Sequence, residues 1–148
     1  MFIKGEGMVV ALIGFAGALI PLLIYNKNRR DERRRAFVKG QRETYQEILK
    51  KVASVDIDLQ LNTPQLSGLR DKIVEINACV LTHKVYLTKS DLKLVDAYLR
   101  ALGDLTAWVQ REGSDEKMIK KLRRKARPVA QASEKLNKRG QRILQQAS

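Results

Sequence analysis

A long uncharged run near the start of the chain limits its possible folds more than any other feature. Residues 7–26, GMVVALIGFAGALIPLLIYN, contain no charged side chain. Twenty helical residues rise about 30 Å, which matches the hydrocarbon core of a bilayer. A helix packed on a soluble core would show a polar face, and a cleaved signal peptide would show a basic start and a small-residue cleavage site. The run has none of these marks, so it predicts a retained transmembrane helix.

The basic residues on either side of this run predict its orientation. Only Lys4 precedes it, whereas a cluster of cations follows it between residues 27 and 35. Because Lys and Arg concentrate on the cytoplasmic side of a span, we expect the N-terminus outside and the C-terminal domain in the cytoplasm, at a bacterial-type inner (plasma) membrane. The predicted membrane-interface residues are Tyr25, Lys27, Arg29, Arg30, Arg33, Arg34 and Arg35.

Small residues within the run suggest a face on which a second membrane helix packs. Gly14 and Ala18 lie four positions apart, with Ala11 and Gly17 nearby. Small side chains at such spacing let helix backbones approach closely in lipid. Gly is also common in membrane helices generally, which is the simpler explanation. Pro21 is expected to kink this helix or loosen its last turn.

The remainder of the chain predicts helices only. Apolar residues recur every three or four positions in four successive stripes, and the alternation typical of strands is absent. The stripes are Val38, Tyr45, Ile48, Val52, Val55 and Leu59; Leu66, Leu69, Ile73, Ile76, Val80, His83 and Leu87; Leu92, Val95, Leu99, Leu102, Thr106 and Val109; and Ile119, Leu122, Ala126, Val129, Leu136 and Ile143. This spacing gives each helix one apolar seam, as in an antiparallel bundle or a coiled coil. The predicted fold is all-α, a single transmembrane helix continuing into a cytoplasmic antiparallel bundle of about four helices.

Capping residues indicate where the helices begin. Thr63 followed by Pro64 reads as an N-cap and first helical position, and Ser90 or Thr88 as the cap of the next helix. Gly113 and Ser114 separate the third helix from a fourth at 115–146. The predicted order is an extracytoplasmic stub at 1–6, the transmembrane helix at 7–26, a basic juxtamembrane stalk at 27–40 and the bundle at 41–148.

Within the fourth helix, Pro128 is expected to bend or break the chain, because it cannot donate a backbone hydrogen bond. If the helix continues past it, Lys135, Lys138, Arg139 and Arg142 return toward the Arg29–Arg35 cluster. In the stalk itself, Asp31 and Glu32 lie at helical spacing from Arg34 and Arg35 and are expected to pair with them.

The charge of the chain is concentrated in two zones. The formal net charge is +13, and residues 26–42 and 114–148 carry net charges of +6 and +8 around a nearly balanced middle. The segment 117–128, KMIKKLRRKARP, reads as a basic amphipathic helix, which suits an anionic membrane, an acidic protein or a phosphate backbone. A merely solvated outer face is the alternative. The candidate contact residues are Lys120, Lys121, Arg123, Arg124, Lys125, Arg127, Lys138, Arg139 and Arg142.

No arrangement of residues predicts catalysis. Cys79 and His83, the only Cys and His, stand four positions apart, but zinc normally takes three or four protein ligands, so core packing is the preferred interpretation. Asp91 and Asp96 read as cap and surface residues, and no glycine-rich loop follows a strand. We therefore expect that the protein is not an enzyme. We also expect that it has no catalytic residue, metal, cofactor or small-molecule substrate. Tyr98 and Trp108 are candidates for a docking face, although core packing suits both.

These observations favour a non-enzymatic membrane protein whose bundle serves as a scaffold, an adaptor or a subunit of a larger membrane complex. The expected partners are the lipid bilayer and a protein, including a second copy of the chain. A membrane-tethered nucleic-acid binder acting through the fourth helix is the alternative. A membrane-disrupting effector is less favoured, because no polar residue lines the predicted span.

Overall fold

All regular structure in the described part of the chain is helical, which confirms the all-α prediction. The computed structural model describes residues 3–61, 66–112 and 116–146, with side chains at all of these except 3–16, 18 and 116. The helices are α1 (Ile3–Gln60), α2 (Leu69–Thr82), α3 (Lys89–Glu112), α4 (Glu116–Lys125) and α5 (Arg127–Gln145), with a 3₁₀ turn at Lys84–Tyr86 between α2 and α3. The chain divides into two units, Met1–Phe37 and Val38–Ser148.

In the first unit, the described side chains from Leu19 to Phe37 are all exposed. Leu19 to Tyr25 thus exposes a run of large apolar residues interrupted only by Pro21. The Arg29 guanidinium lies 6.0 Å from the centre of the Tyr25 ring. The expected pairing within the basic cluster is wrong, because no ion pair within 4.0 Å joins its described acidic and basic residues.

The predicted transmembrane helix is only partly covered by the described residues. Within those residues, no helix has both the length and the apolarity needed to cross a bilayer. The side chains of 7–16 and 18, which form most of the predicted span, lie outside the described residues. Of the predicted transmembrane packing face, only Gly17 has described surroundings. A Cβ added at Gly17 would meet nothing within 4 Å. The membrane span stays a prediction.

The second unit is a helical bundle in which α2 runs antiparallel to α1. Near the end of α1, Lys72 Nζ lies 2.9 Å from Asp58 Oδ2. Eleven residues earlier on α1, Glu47 meets His83, at the other end of α2. The 3₁₀ turn then brings Tyr86 against Gly40, where a Cβ would overlap the tyrosine ring. Gly40 therefore allows the turn to approach α1 closely.

The last helix, α5, also runs antiparallel to α1. Ser133 Oγ donates a hydrogen bond of 2.7 Å to Asp56 Oδ2, and Arg42 donates one of 3.3 Å to the Leu144 carbonyl. Helix α3 contacts both α2 and α5. Helix α3 runs in the direction opposite to α5. Asp91 at the start of α3 binds Arg139 toward the end of α5, and Trp108 near the end of α3 lines a groove with Pro128 at the start of α5. The unit is thus an up-down-up-down bundle.

The four predicted stripes meet in a single core. Its buried members are Tyr45, Ile48, Val52, Val55, Leu69, Ile76, Cys79, Val80, Leu87, Val95, Tyr98, Leu102, Leu105, Leu122, Val129, Leu136 and Ile143. Val38, Leu59, Leu92 and Leu99 are half-buried, and Ile119 is exposed. Stripe residues therefore pack against each other within one chain.

One helix start differs from the sequence prediction, and a second uses one of the two caps that the sequence offered. Helix α2 begins at Leu69, after a turn at 67–68, and Gly68 caps it without a side-chain hydrogen bond. Thr63 and Pro64 lie outside the described residues. Helix α3 is capped by Thr88, not Ser90, because the Asp91 backbone N–H donates to Thr88 Oγ1 at 3.2 Å. The Thr88 backbone N–H donates in return to Asp91 Oδ2 at 2.9 Å, completing a reciprocal capping box.

The predicted fourth helix is interrupted where its proline suggested. Helix α4 ends at Lys125 and α5 begins at Arg127, with Pro128 in the first turn of α5. Proline is tolerated in a first turn because its missing N–H would have no partner there. The break separates the basic α4 from α5, so the two can make different contacts.

The bundle has two distinct ends. At one end, which we call the near end, α1 enters the bundle at Val38, beside Tyr86 and the C-terminal end of α5. At its far end α1 finishes at Gln60, against α4. From Val38 to Gln60 the helix rises about 33 Å.

Candidate functional site

Helix α4 presents a strongly basic surface at the far end of the bundle. Met118 and Leu122 are buried on its inner side, 5% and 3% exposed, and attach it to the bundle. Ile119, predicted to share that apolar face, is 40% exposed. The outer side carries exposed cations, Lys120, Lys121, Arg123, Arg124 and Lys125, followed by Arg127 at the start of α5. Among the residues that the structure describes, none of these six forms an ion pair within 4.0 Å. We call these six residues the α4 basic face.

A groove lies beside the α4 basic face. Its volume is about 470 Å³, and it is bounded by the last turns of α1 and by α4 and α5. Leu59, Leu61 and Ile119 supply apolar walls, while Arg123 and Arg127 stand at its edge. Asp56 contributes a carboxylate. Burial raises the pKa of Asp56, and the hydrogen bond from Ser133, which lowers it, offsets only part of that shift. Here apolar surface and positive charge are available together.

Arg139, also a predicted contact residue, lies apart from this surface and has a partner inside the bundle. It lies at the near end, and its Nε donates a hydrogen bond of 2.7 Å to Asp91 Oδ1. Asp91 is 0% exposed, so it is not a surface residue either. Tyr45 Oη donates to the same oxygen at 2.6 Å, and Gln41 Nε2 approaches Asp91 Oδ2 at 3.5 Å. We call these residues, with Thr88, the Asp91 cluster.

The Asp91 cluster stabilises a charged carboxylate inside the bundle. Burial acts to raise the pKa of Asp91, but hydrogen bonds from Arg139, Tyr45 and Thr88 outweigh it and bring the pKa below its usual value. The same contact raises the pKa of Arg139. Burial, followed by the hydrogen bond to Asp91, raises the pKa of the Tyr45 hydroxyl. The cluster therefore links α1, α3 and α5 through one negative charge.

The remaining candidate cations of α5 also differ from the α4 basic face. Lys138 Nζ lies 2.7 Å from Glu134 Oε1 on the same exposed helix face. Arg142 is exposed at the near end. The basic residues of the predicted membrane interface, from Lys27 to Arg35, are likewise exposed. The nine predicted contact residues thus separate into the six of the α4 basic face and three others on α5 with different surroundings.

The structure brings a third residue to the Cys79–His83 pair. Glu47 on α1 faces both, and one ligand atom from each of the three residues lies within 4.8 Å of the others. Cys79 Sγ is 3.9 Å from His83 Nδ1, and His83 Nε2 is 3.8 Å from Glu47 Oε2. Burial, with a smaller contribution from Glu47, raises the pKa of the Cys79 thiol, and Lys51 opposes the shift. Sequence reasoning missed Glu47 because it stands on a different helix.

The aromatic docking candidates occupy different environments. Tyr98 is fully buried in the core, and burial raises the pKa of its hydroxyl. It therefore cannot form a docking face. Trp108 is half-buried and lines a groove with Arg111, Lys125 and Pro128.

One exposed apolar stripe lies off the predicted core seams. Val74, Leu81 and Val85 are 62%, 64% and 75% exposed on α2 and the turn after it. Their spacing of seven and four residues is that of one helix face. The spacing was visible in the sequence, but only the packing shows that this stripe is the outer one.

Comparisons with known proteins add no assignment. Protein-family models, curated proteins and solved structures were each compared with the chain, and no match was found. A functional proposal therefore depends on this chain's own residues.

Proposed function

We infer that this protein is a single-pass membrane protein of the inner (plasma) membrane whose bundle works by binding, as a scaffold, an adaptor or a subunit of a membrane complex. The α4 basic face is the proposed binding surface, and an acidic protein is the proposed partner. The observation that carries this proposal is the set of six exposed cations with no ion-pair partner among the described residues. Cations needed only for the fold would resemble Arg139, with a partner inside the bundle.

Support for a membrane anchor comes from residues 7–26 and from the basic segment immediately after them. The run is uncharged, and its described part exposes Leu19, Leu22 and Ile24 to the surroundings at 41–57%. Exposed apolar surface of this kind is unfavourable in water and favourable in lipid. The exposed cations from Lys27 to Arg35 suit the anionic headgroups on the cytoplasmic side.

The α4 basic face lies at the end of the bundle opposite to the one at which α1 enters it. The anchored segment joins the bundle at the near end, at Val38, whereas α4 lies at the far end, about 33 Å further along α1.

A protein suits the α4 basic face better than a nucleic acid does. The adjoining groove offers apolar walls at Leu59, Leu61 and Ile119, which can bury an apolar side chain of a partner. No aromatic residue stands among residues 117–127 for stacking on bases. Exposed ion pairs contribute only about 0.2–1 kcal/mol each, so the groove would supply much of the specificity.

A binding experiment with purified full-length protein tests the proposal. The protein, in nanodiscs of zwitterionic lipid, is titrated with poly-glutamate as an acidic polypeptide. We expect salt-sensitive binding that weakens at least about tenfold when Lys120, Lys121, Arg123 and Arg124 are all changed to Gln. The matched control changes four other exposed cations, Lys50, Lys84, Lys89 and Lys93, to Gln, and it should bind like the wild type.

Two further probes separate the partner classes. If a DNA duplex or single strand binds more tightly than poly-glutamate, and this binding is lost in the α4 variant, the surface would be assigned to nucleic acid instead. Flotation of protein on anionic vesicles through the same four residues would assign it to lipid. Equal loss of poly-glutamate binding in both four-residue variants would show a general charge effect and reject the α4 basic face as a site.

The anchor is tested separately. Changing Leu19 and Ile20 to Arg adds two charges to the predicted span, each costing about 2.5–3.5 kcal/mol near its centre. We expect this variant to become extractable from membranes by alkaline carbonate while the wild type is retained. Val74→Arg with Leu81→Arg, at exposed positions of α2, is the matched control and should be retained as well. Extraction of the wild type would reject the anchor.

A further inference from the structure

Three chemically different metal-binding side chains converge between α1 and α2. Glu47 projects from α1, while Cys79 and His83 occupy successive turns at the C-terminal end of α2. In a tetrahedral zinc site the donor atoms stand about 3.3–3.7 Å apart, given metal–ligand distances near 2.0–2.3 Å. The three donors here lie within 4.8 Å of one another. The side chain of Glu47 is 48% exposed, so it can rotate to shorten the remaining separation.

His83 is oriented as metal-binding histidines usually are. Its Nδ1 lies 3.0 Å from the backbone carbonyl of Cys79, which accepts a hydrogen bond from a protonated Nδ1. That contact selects the tautomer whose lone pair is on Nε2, the nitrogen facing Glu47 at 3.8 Å. A hydrogen bond from the non-coordinating ring nitrogen to a backbone carbonyl commonly fixes the ring in metal sites. The ring thus presents Nε2 toward Glu47 before any ion binds.

We propose that Glu47, Cys79 and His83 form a binding site for a divalent transition-metal ion of the zinc type. A thiolate, an imidazole and a carboxylate suit Zn²⁺ or Co²⁺, whereas Ca²⁺ and Mg²⁺ prefer oxygen ligands alone. Three protein ligands leave the fourth tetrahedral position to water or to a group from a partner. This proposal is independent of the α4 basic face.

A groove gives an ion access to the site, and the nearby lysines repel the ion only in part. A groove of about 310 Å³ adjoins it, lined by Glu47, Lys51 and Glu75 among others. Three cations, Lys50, Lys51 and Lys72, line the same groove. Two of these charges are offset, since Lys51 Nζ lies 3.7 Å from Glu75 Oε2 and Lys72 Nζ lies 2.9 Å from Asp58 Oδ2. Cys79 is buried, and burial raises the pKa of its thiol. Binding therefore displaces the thiol proton to solvent as the sulfur–metal bond forms.

The sequence makes the experiment easy to interpret, because Cys79 and His83 are its only cysteine and histidine. Full-length protein in mild detergent, with the thiol reduced, is titrated with Co²⁺. We expect a thiolate-to-cobalt charge-transfer band together with the intense visible bands of four-coordinate cobalt, both removed by Zn²⁺. The charge-transfer band must disappear in Cys79→Ser, since no other thiol exists.

Substitutions of the other two ligands test the geometry. His83→Gln and Glu47→Gln should each weaken Co²⁺ binding at least about tenfold. Glu43→Gln is the matched control, because Glu43 is an exposed carboxylate one turn earlier on α1 whose contact is with Lys39. It should bind like the wild type, and circular dichroism checks that every variant is folded.

Zinc should also raise the midpoint of thermal unfolding of the wild type and not of Cys79→Ser, since the ion would tie α1 to α2. The absence of a charge-transfer band in the folded wild type would overturn the proposal. Unchanged Co²⁺ affinity in Glu47→Gln would overturn it as well, by removing the ligand that links the two helices.

Discussion

The near and far ends of the bundle use basic residues in opposite ways. At the near end, Arg139 donates to a carboxylate with no solvent exposure and holds α5 to α1 and α3. At the far end, the six cations of the α4 basic face point outward and have no ion-pair partner among the described residues. In the sequence the two sets belong to one polybasic region. The difference shows that the density of charge in the sequence does not separate cations that stabilise the fold from cations that stand exposed on its surface.

The glycines show a related contrast in packing. Gly40, at the near end, has no space for a Cβ because the Tyr86 ring occupies it. Gly103, on α3, has nothing within 4 Å of that position. The far end instead leaves a groove of about 470 Å³ beside α4. The close approach at Gly40 and the buried Asp91–Arg139 pair thus mark the near end, and the groove and the α4 basic face mark the far end.

The largest expected effect is on Arg139. Arg139→Ala leaves Asp91 buried with its charge uncompensated, and we expect the free energy of unfolding to fall by about 3 kcal/mol. Arg124→Ala, on the α4 basic face, should change it by no more than about 0.5 kcal/mol. Urea unfolding followed through the fluorescence of Trp108, the single tryptophan, measures both. Equal losses in the two variants would remove the distinction between the ends.

The second effect concerns packing. Gly40→Ala forces the Tyr86 ring to move, and overpacking of this kind costs about 1–3 kcal/mol. Gly103→Ala is the matched control, since it adds a methyl group in open space within a helix and should stabilise the fold by about 0.5–1 kcal/mol. The same unfolding assay applies, and a stabilising Gly40→Ala would contradict the close approach.

The smallest effect is a difference in acid sensitivity between two carboxyl groups. The pKa of Asp91 is lowered in the fold, so its stabilisation is present above the unfolded value near 3.9 and is lost as the pH falls through the folded value. The pKa of Asp56 is raised by burial, so its contribution has the opposite sign, being present at low pH and lost as the pH rises through the folded value.

Substitution by Asn separates these two contributions. Asp91→Asn should flatten the loss of stability between about pH 5 and pH 2, whereas Asp56→Asn should steepen it over the acidic range. Urea unfolding at a series of pH values measures both slopes. If both variants shifted the profile in the same direction, the contrast between the two carboxyl groups would be wrong.

Much of the fold follows from local pattern. The stripe residues from Tyr45 to Val55 are buried as their spacing predicts, and Pro128 marks the break between α4 and α5. Apolar periodicity and proline act over one or two helical turns, so a single sequence contains that information. The uncharged run at 7–26 likewise supports its prediction of a membrane span without tertiary contacts.

The start of α3 marks the limit of that reasoning. Thr88 and Asp91 were recognisable as capping residues, but the cap gave no sign that the carboxylate is buried. Its burial depends on Tyr45 and Arg139, which lie 46 and 48 residues away in the sequence. Arg139 accordingly looked like one more surface cation until its partner was known.

The sequence by itself determined the helices, their buried faces and the overall distribution of charge, because these depend on short-range spacing and composition. Only the tertiary structure decided that Arg139 neutralises a buried carboxylate, that the α4 basic face faces outward, and that Glu47 joins Cys79 and His83. Each of these depends on which helices lie side by side. A pair interaction between distant residues leaves no periodic trace in one chain, so its chemistry becomes visible only when the bundle brings the residues together.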